Sequence, residues 1–247
     1  MRPTRSSTLA PAAGWNPGRT GHALFCTRLG VCGLAWGVHG VVAVMLPDPS
    51  PDITRDRVLA SANKRHQGDW RQALSASNLS AEALQAVAGV QWLLAGAPAG
   101  NLAEASWAYT QPQLTAAGMV LPDLREHLNT QRWAANGLPL LDDLVLDWHG
   151  VPDFAQHVYF LARTIAPGQT RSYGDLADAL GGKTLARAVG QALGANPFVP
   201  VVPCHRILAN HGASGGFSAS GGTRTKLSML EFEGAVLGDG SSLPLFG

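Results

Sequence analysis

The strongest chemical potential in this chain is concentrated in Pro203-Cys204-His205-Arg206. A thiol attacks carbon only as thiolate, and an adjoining imidazole or cation lowers its pKa toward neutrality. The run therefore supplies a nucleophile, a neighbouring base and a fixed positive charge, behind a proline that stiffens the approach. Apolar residues 198–202 lie before it and a glycine-rich stretch, 212–222, lies after it. A lone Cys-His pair also arises as core filling, because free cysteine is among the most buried residue types. The surrounding elements must decide between the two readings.

Residues 184–193 have helical composition, with Leu185, Val189 and Leu193 at i, i+4 spacing on one face. Gly194 is a stop signal and Asn196-Pro197 a turn signal. A helix over 173–180, closed by Gly181-Gly182, precedes it, and the two form a helix-turn-helix. The second helix is lined with Ala186, Ala188, Gly190 and Ala192 around one long cation, Arg187. Small residues let its backbone approach another surface closely while the arginine projects.

Five runs then occur in order: Gly168-Gln-Thr-Arg-Ser-Tyr-Gly-Asp-Leu-Ala177, Ala186-Arg-Ala-Val-Gly190, Asn196-Pro197, Pro203-Cys-His-Arg206 and Leu230-Glu-Phe-Glu-Gly234. Together they resemble the O6-alkylguanine-DNA alkyltransferases, the methylated-DNA–protein-cysteine methyltransferase family, over about residues 150–236. The resemblance implies an α/β (α+β) fold. An N-terminal antiparallel-sheet region carries helices, and a mostly helical C-terminal region carries a winged-helix-like helix-turn-helix and an active-site cysteine loop. It implies irreversible, single-turnover repair of O6-alkylguanine, and of O4-alkylthymine besides, in double-stranded DNA. The base is flipped from the minor groove, since a stacked base cannot bring its alkyl carbon to a buried thiol.

By the same resemblance Cys204 is the alkyl acceptor, His205 the base acting through a water, and Glu233 the carboxylate that polarises it. Asn196 braces the turn, and Tyr173 assists flipping and protonates the leaving guanine. Arg187 is the finger that replaces the extruded base, with Ala186 and Gly190 beside it at the DNA. Pro203, Phe217, Ser218 and the Ile207 carbonyl surround the substrate base. Arg206 ties the loop rather than touching the alkyl group. One departure is Gly216-Phe217-Ser218-Ala219-Ser220-Gly221-Gly222, where the family pattern is close to Gly-Tyr-Ser-Gly-Gly, so the alkyl-size range is open. No cofactor and no metal are implied, and a monomer is the simpler state for base flipping.

Hydrophobic residues make up 46% and charged residues 14% of 247, a globular composition. A net charge of +1 is a poor fit to a protein that holds DNA mainly by charge. Arg171, Lys183, Arg187, Arg206, Arg224 and Lys226 could still form a local basic face. Three cysteines suit a reducing, cytoplasmic setting. Cys26 and Cys32, with His22 and His39 nearby, fit no standard zinc spacing and read better as a buried pair in a hairpin.

Residues 1–20 read as a flexible tail, 21–148 as an N-terminal α/β domain, 149–236 as the catalytic and DNA-binding domain, and 237–247 as a second tail. The uncharged run 29–46 is long enough for a membrane anchor, but its glycines divide it into a hairpin, 30–36 and 41–46. No membrane partner is expected. Helices are expected over 52–64 and 80–95, a strand over 140–151, and a long connection or insertion over 96–139. Two other functions compete with alkyl transfer: a related module that binds alkylated DNA without transfer, and a thiol hydrolase using Cys204 and His205 with turnover and no DNA.

Overall fold

The structure, a computed structural model, describes residues 20–96, 120–121, 123–130, 132–209 and 215–235. Residues 1–19 and 237–247 of the expected tails, and residues 97–119 of the expected 96–139 connection, lie outside the described residues. The N-terminal half begins with three antiparallel strands, β1 (Gly21–Thr27), β2 (Gly30–Gly37) and β3 (Gly40–Met45). A short β4 (Arg71–Gln72) pairs parallel to β1, giving the order β3-β2-β1-β4. The expected hairpin is β2–β3, turning at Val38-His39; β1 was not expected.

The absence of polar alternation in these strands has a physical cause: the sheet is covered on both faces. Helix α1 (Pro51–Asn63) packs Val58 and Ala62 against Ala35, Val42 and Ala43. Helix α2 (Ala81–Ala95) belongs to the larger cluster with Phe25, Leu34, Trp36 and Val44. The uncharged run is thus two strands inside a sandwich. Among the described residues no helix is long and apolar enough to cross a membrane. Both helices start on a serine cap, Ser50 accepting from the Ile53 N–H and Ser80 from the Ala83 N–H. Left-handed Gly96 ends α2.

Cys26 pairs with Val31 and Phe25 with Cys32, so the two thiols point to opposite faces of the sheet. They are buried, free and unable to share a metal ion. Burial pushes the Cys32 thiol up to about 12. The expected strand over 140–151 is reduced to one bridge, Val41 with Leu146. Leu141 takes a positive φ of 59°, and a turn at Asp142-Asp143 breaks the extended path.

The C-terminal half contains α3 (Asp153–Arg163), β5 (Arg171–Ser172), α4 (Tyr173–Ala179), α5 (Ala186–Gly194), β6 (Ile207–Leu208) and α6 (Gly222–Phe232). Helices α4 and α5 are the expected helix-turn-helix, with Gly181 and Gly182 at φ 121° and 147° in the turn. A capping box between Ser172 and Asp175 opens α4. The Tyr159 hydroxyl of α3 donates to the Ala192 carbonyl at 2.7 Å and fixes the end of α5. The largest apolar cluster is continuous through both halves, from Ala23 through Val189 to Met229.

Candidate active site

Cys204–Arg206 form a single 3-10 turn between the apolar segment 198–202 and β6. Two pairings hold that turn. Strand β6 lies parallel to β5, which brings the start of α4 and Tyr173 beside the cysteine segment. On the other side the β3 edge captures the preceding turn, the Val44 N–H donating to the Pro197 carbonyl at 2.8 Å. Asn196 closes the turn from within. Its Nδ2 donates to the Val202 carbonyl at 2.8 Å and reaches Cys204 Sγ at 3.5 Å, while its Oδ1 accepts from the Phe198 N–H at 2.9 Å.

His205 is fully buried, and its Nε2 lies 2.8 Å from Glu233 Oε1. Arg206 faces the same carboxylate, its Nε 2.9 Å from Oε2 and its Nη2 2.8 Å from Oε1, and its Nη1 donates to the Ile165 carbonyl at 2.6 Å. The Gly168 N–H adds a further donor to Oε2 at 3.1 Å. Burial alone would raise the Glu233 pKa, but Arg206 and His205 hold it down at about 2. An ionised carboxylate only accepts, so His205 Nε2 carries the imidazole proton and Nδ1 is left as a base. That Nδ1 is buried and has no protein partner among the described residues. Burial lowers the His205 pKa, against the pull of Glu233, so the ring is neutral at neutral pH.

Cys204 is 5% exposed, and burial raises its pKa; the Asn196 amide and the charge of Lys226 pull the other way. The resting thiol is therefore protonated and needs a base. Lys226 corrects an expectation. Instead of joining a basic face it is fully buried on α6, with Nζ donating to the Ile207 carbonyl at 2.6 Å and lying 5.8 Å from the Tyr173 ring centroid. Burial lowers its pKa to about 8. Arg206 is likewise buried, which leaves Arg171, Lys183, Arg187 and Arg224 exposed.

Cys204 lines a cavity of about 430 Å³ with Tyr173, Gly190, Leu193, Gly194, Gly216, Phe217 and Ser218. A neighbouring groove of about 800 Å³ is lined by Arg187, Ala186 and Lys183 and shares Tyr173 and Gly190 with the cavity. Gly190 of α5 faces the Tyr173 ring, and a Cβ there would meet it at 3.8 Å, an ordinary van der Waals contact. Burial, then the nearby thiol, raises the Tyr173 pKa. The structure brings together Cys204, His205, Glu233, Asn196, Tyr173, Phe217 and Ser218. Pro203 and Ile207 are buried outside the cavity lining, and the Ile207 carbonyl is occupied by Lys226. Lys226 was missed as a site residue; its place one helical turn before Leu230, on the buried face of α6, was the available signal.

Residues 153–235 match the family described as the DNA-binding domain of 6-O-methylguanine DNA methyltransferase. A methylated-DNA–protein-cysteine methyltransferase from Mycobacterium tuberculosis is 45% identical over 91 residues, 37% of this chain and 53% of that protein. The chain spans about half the length of this and similar curated relatives that it matches. The Mycobacterium tuberculosis O6-methylguanine methyltransferase structure superposes with a TM-score of 0.53 at 24% identity, over 87% of this chain and 93% of that one. The enzyme from the hyperthermophilic archaeon Pyrococcus kodakaraensis does so at 0.52 and 25%, over 87% and 99%. The Shigella flexneri methylated-DNA–protein-cysteine methyltransferase is 38% identical over 129 residues, 52% of this chain and 70% of that protein. With that overlap, the chain belongs to the methylated-DNA–protein-cysteine methyltransferase family.

Proposed function

We propose that this chain repairs O6-alkylguanine in double-stranded DNA, moving the alkyl group irreversibly onto Cys204. The observation that carries the reading is the buried array Glu233–His205 beside a cysteine that lines a cavity adjoining the Arg187 groove. Helix α5 enters the minor groove on its small residues Ala186 and Gly190, and Arg187 takes the space of the extruded base. Tyr173, at the boundary of groove and cavity, guides the base inward. Phe217 walls the cavity, Ser218 meets O6, and Pro203 stiffens the loop behind Cys204.

The thiol proton passes through a water to Nδ1 of neutral His205, and ionised Glu233 stabilises the imidazolium. Sγ attacks the alkyl carbon, the carbon–O6 bond breaks, and its electron pair remains on the guanine. Tyr173, kept protonated by burial, supplies the proton that neutralises the leaving base. Lys226 and Asn196 favour the thiolate during the attack. The product is a thioether with no thiolate left, so each molecule acts once. Residues 149–236 carry this chemistry as one domain and 21–148 support it as another. One copy suffices, in a cytoplasm reducing enough to keep the thiol.

The test is intact-protein and peptide mass spectrometry after incubation with duplex DNA carrying one O6-methylguanine. Transfer adds one methylene mass to the peptide containing Cys204 and stops at one per protein. Binding of the lesion without a mass gain would move the protein to the binding class. Turnover on a small ester without DNA would make it a hydrolase.

A further inference from the structure

Glu233 lies one residue beyond α6, and that end of the helix is gripped by residues outside the matched stretch 153–235. Gly96, the left-handed cap of α2, lies against Phe232. A Cβ there would stand 2.9 Å from Phe232 Cβ and 3.0 Å from its Cα and carbonyl oxygen. Arg28, in the β1–β2 turn, lies over the Phe232 ring, 4.4 Å from its centroid. Asn136 acts on Glu233 itself. Its Nδ2 donates to the Glu233 carbonyl at 2.9 Å and to the Pro167 carbonyl at 3.0 Å, while its Oδ1 accepts from the Leu138 N–H at 3.3 Å.

The Pro167 contact is informative because the next residue, Gly168, donates its N–H to Glu233 Oε2. One amide thus holds both the backbone of the carboxylate and the loop that carries one of its donors. Gly168 leaves no room for error: at φ 83°, a Cβ would lie 2.8 Å from the Glu233 carbonyl oxygen and 3.0 Å from Asn136 Nδ2. Asn136 stands on a tight turn, the Ala134 N–H donating to the Leu138 carbonyl and the Gly137 N–H to the Ala134 carbonyl.

We infer that Asn136 is a positioning residue: the connection between the halves sets the Glu233 carboxylate against His205. The inference rests on the proposed role of Glu233 as the partner of the catalytic base. It gives residues 132–140, which the family resemblance leaves without a role, a place in the reaction. Asn136 touches neither the thiol nor the substrate cavity, so its effect runs through Glu233. The charged groups facing His205 are Glu233 after α6, Lys226 on α6 and Arg206 beside it, and only Glu233 is held by Asn136.

The experiment compares wild type, Asn136→Ala and Gly168→Ala in single-turnover transfer from free O6-benzylguanine across pH, with duplex affinity measured in parallel. Loss of a supporting partner of this kind costs about tenfold or more. Asn136→Ala is expected to slow transfer about tenfold at neutral pH, by analogy with such partners. Its acid limb should move to lower pH as His205 loses support, with duplex affinity unchanged. Asn136→Gln, which keeps both donor hydrogens, should recover most of the rate. Gly168→Ala perturbs the same contact from the other side and serves if Asn136→Ala does not fold. A wild-type rate and pH profile in Asn136→Ala, or equal losses of rate and duplex affinity with no shift of the profile, would overturn the inference. If wild-type protein transfers nothing, the proposed function fails instead. The His205 imidazole titration by NMR then decides this point alone: a lower pKa in Asn136→Ala supports it and an unchanged one overturns it.

Discussion

The two halves of this molecule bury different things. In the N-terminal half, β1, β2 and β3 fill both faces of the sheet with Phe25, Leu34, Trp36, Val42 and Val44, and the helices over them add Val58, Val87 and Leu94. In the C-terminal half, His205, Arg206, Lys226 and Glu233 are all withdrawn from water within one cluster of contacts. Removing charges from water is costly even when they are paired, and well-packed apolar residues of similar volume often serve stability as well or better. The first half buries Arg125 and Asp147 too, each against a part-exposed partner, Asp123 and His66, and otherwise has the composition of a scaffold. The second carries a set of buried charges whose arrangement makes sense as chemistry.

The contrast is sharpest at Glu233→Gln. This variant removes the charge and leaves Arg206 and His205 buried without it. Breaking a buried pair costs about 3–5 kcal/mol, and the general-base catalysis that the variant disables is worth about 10²–10⁴ in rate. Single-turnover transfer should fall into that range in the folded fraction, and a rate within threefold of wild type would remove Glu233 from the mechanism. Leu34→Ala is the counterpart in the sheet. A fully buried leucine truncated to alanine costs about 2–5 kcal/mol. Denaturant unfolding should show that loss while transfer per folded molecule stays unchanged. A large rate effect would break the division between the halves.

Arg187→Ala separates DNA handling from chemistry within the C-terminal half. Extruding a paired base costs a few kcal/mol, so losing the side chain that replaces it should slow duplex repair at least about tenfold. Reaction with free O6-benzylguanine should be unaffected, and equal losses on both substrates would contradict the assignment. Lys226→Met gives the smallest expected effect. Each unit by which the thiol pKa rises is worth about 1.4 kcal/mol, or tenfold in thiolate. Transfer should drop by about that factor on both substrates, and an unchanged rate would reduce Lys226 to a tie on the Ile207 carbonyl.

Much of this arrangement was legible in the residues, and what was not had physical reasons. The helix-turn-helix showed itself because its signals are local: a serine cap, Gly181-Gly182 in left-handed turns, and one apolar face at Val189 and Leu193. Cys204, His205, Asn196 and Glu233 were named from their motifs, and the structure brings them into contact. Lys226 was misplaced because its charge was read as a mark of exposure, although its helical spacing from Leu230 put it on the buried face of α6. Strand β1 was missed because a strand covered on both faces has no alternation to detect, and β2 and β3, which share that cover, were found only through the glycines that divide 29–46. The strand expected over 140–151 failed at Leu141 and the Asp142-Asp143 turn, where the adjacent Leu140 and Leu141 concealed a bend. Asn136 gave no warning either, since its partners are main-chain atoms about 30 and 100 residues away in sequence.

The most direct test of the central claim, a buried thiol activated by neutral His205 on ionised Glu233, is the pH dependence of wild-type transfer from free O6-benzylguanine. His205 is active when neutral and its pKa is lowered by burial, so the rate should fall only on the acid side of the usual 6.5. Lys226, with a pKa of about 8, loses its charge on the basic side and should bring the rate down there, giving a plateau through neutrality. A rate that instead climbs without a plateau through pH 9, following the raised pKa of an unaided thiol, would contradict the account.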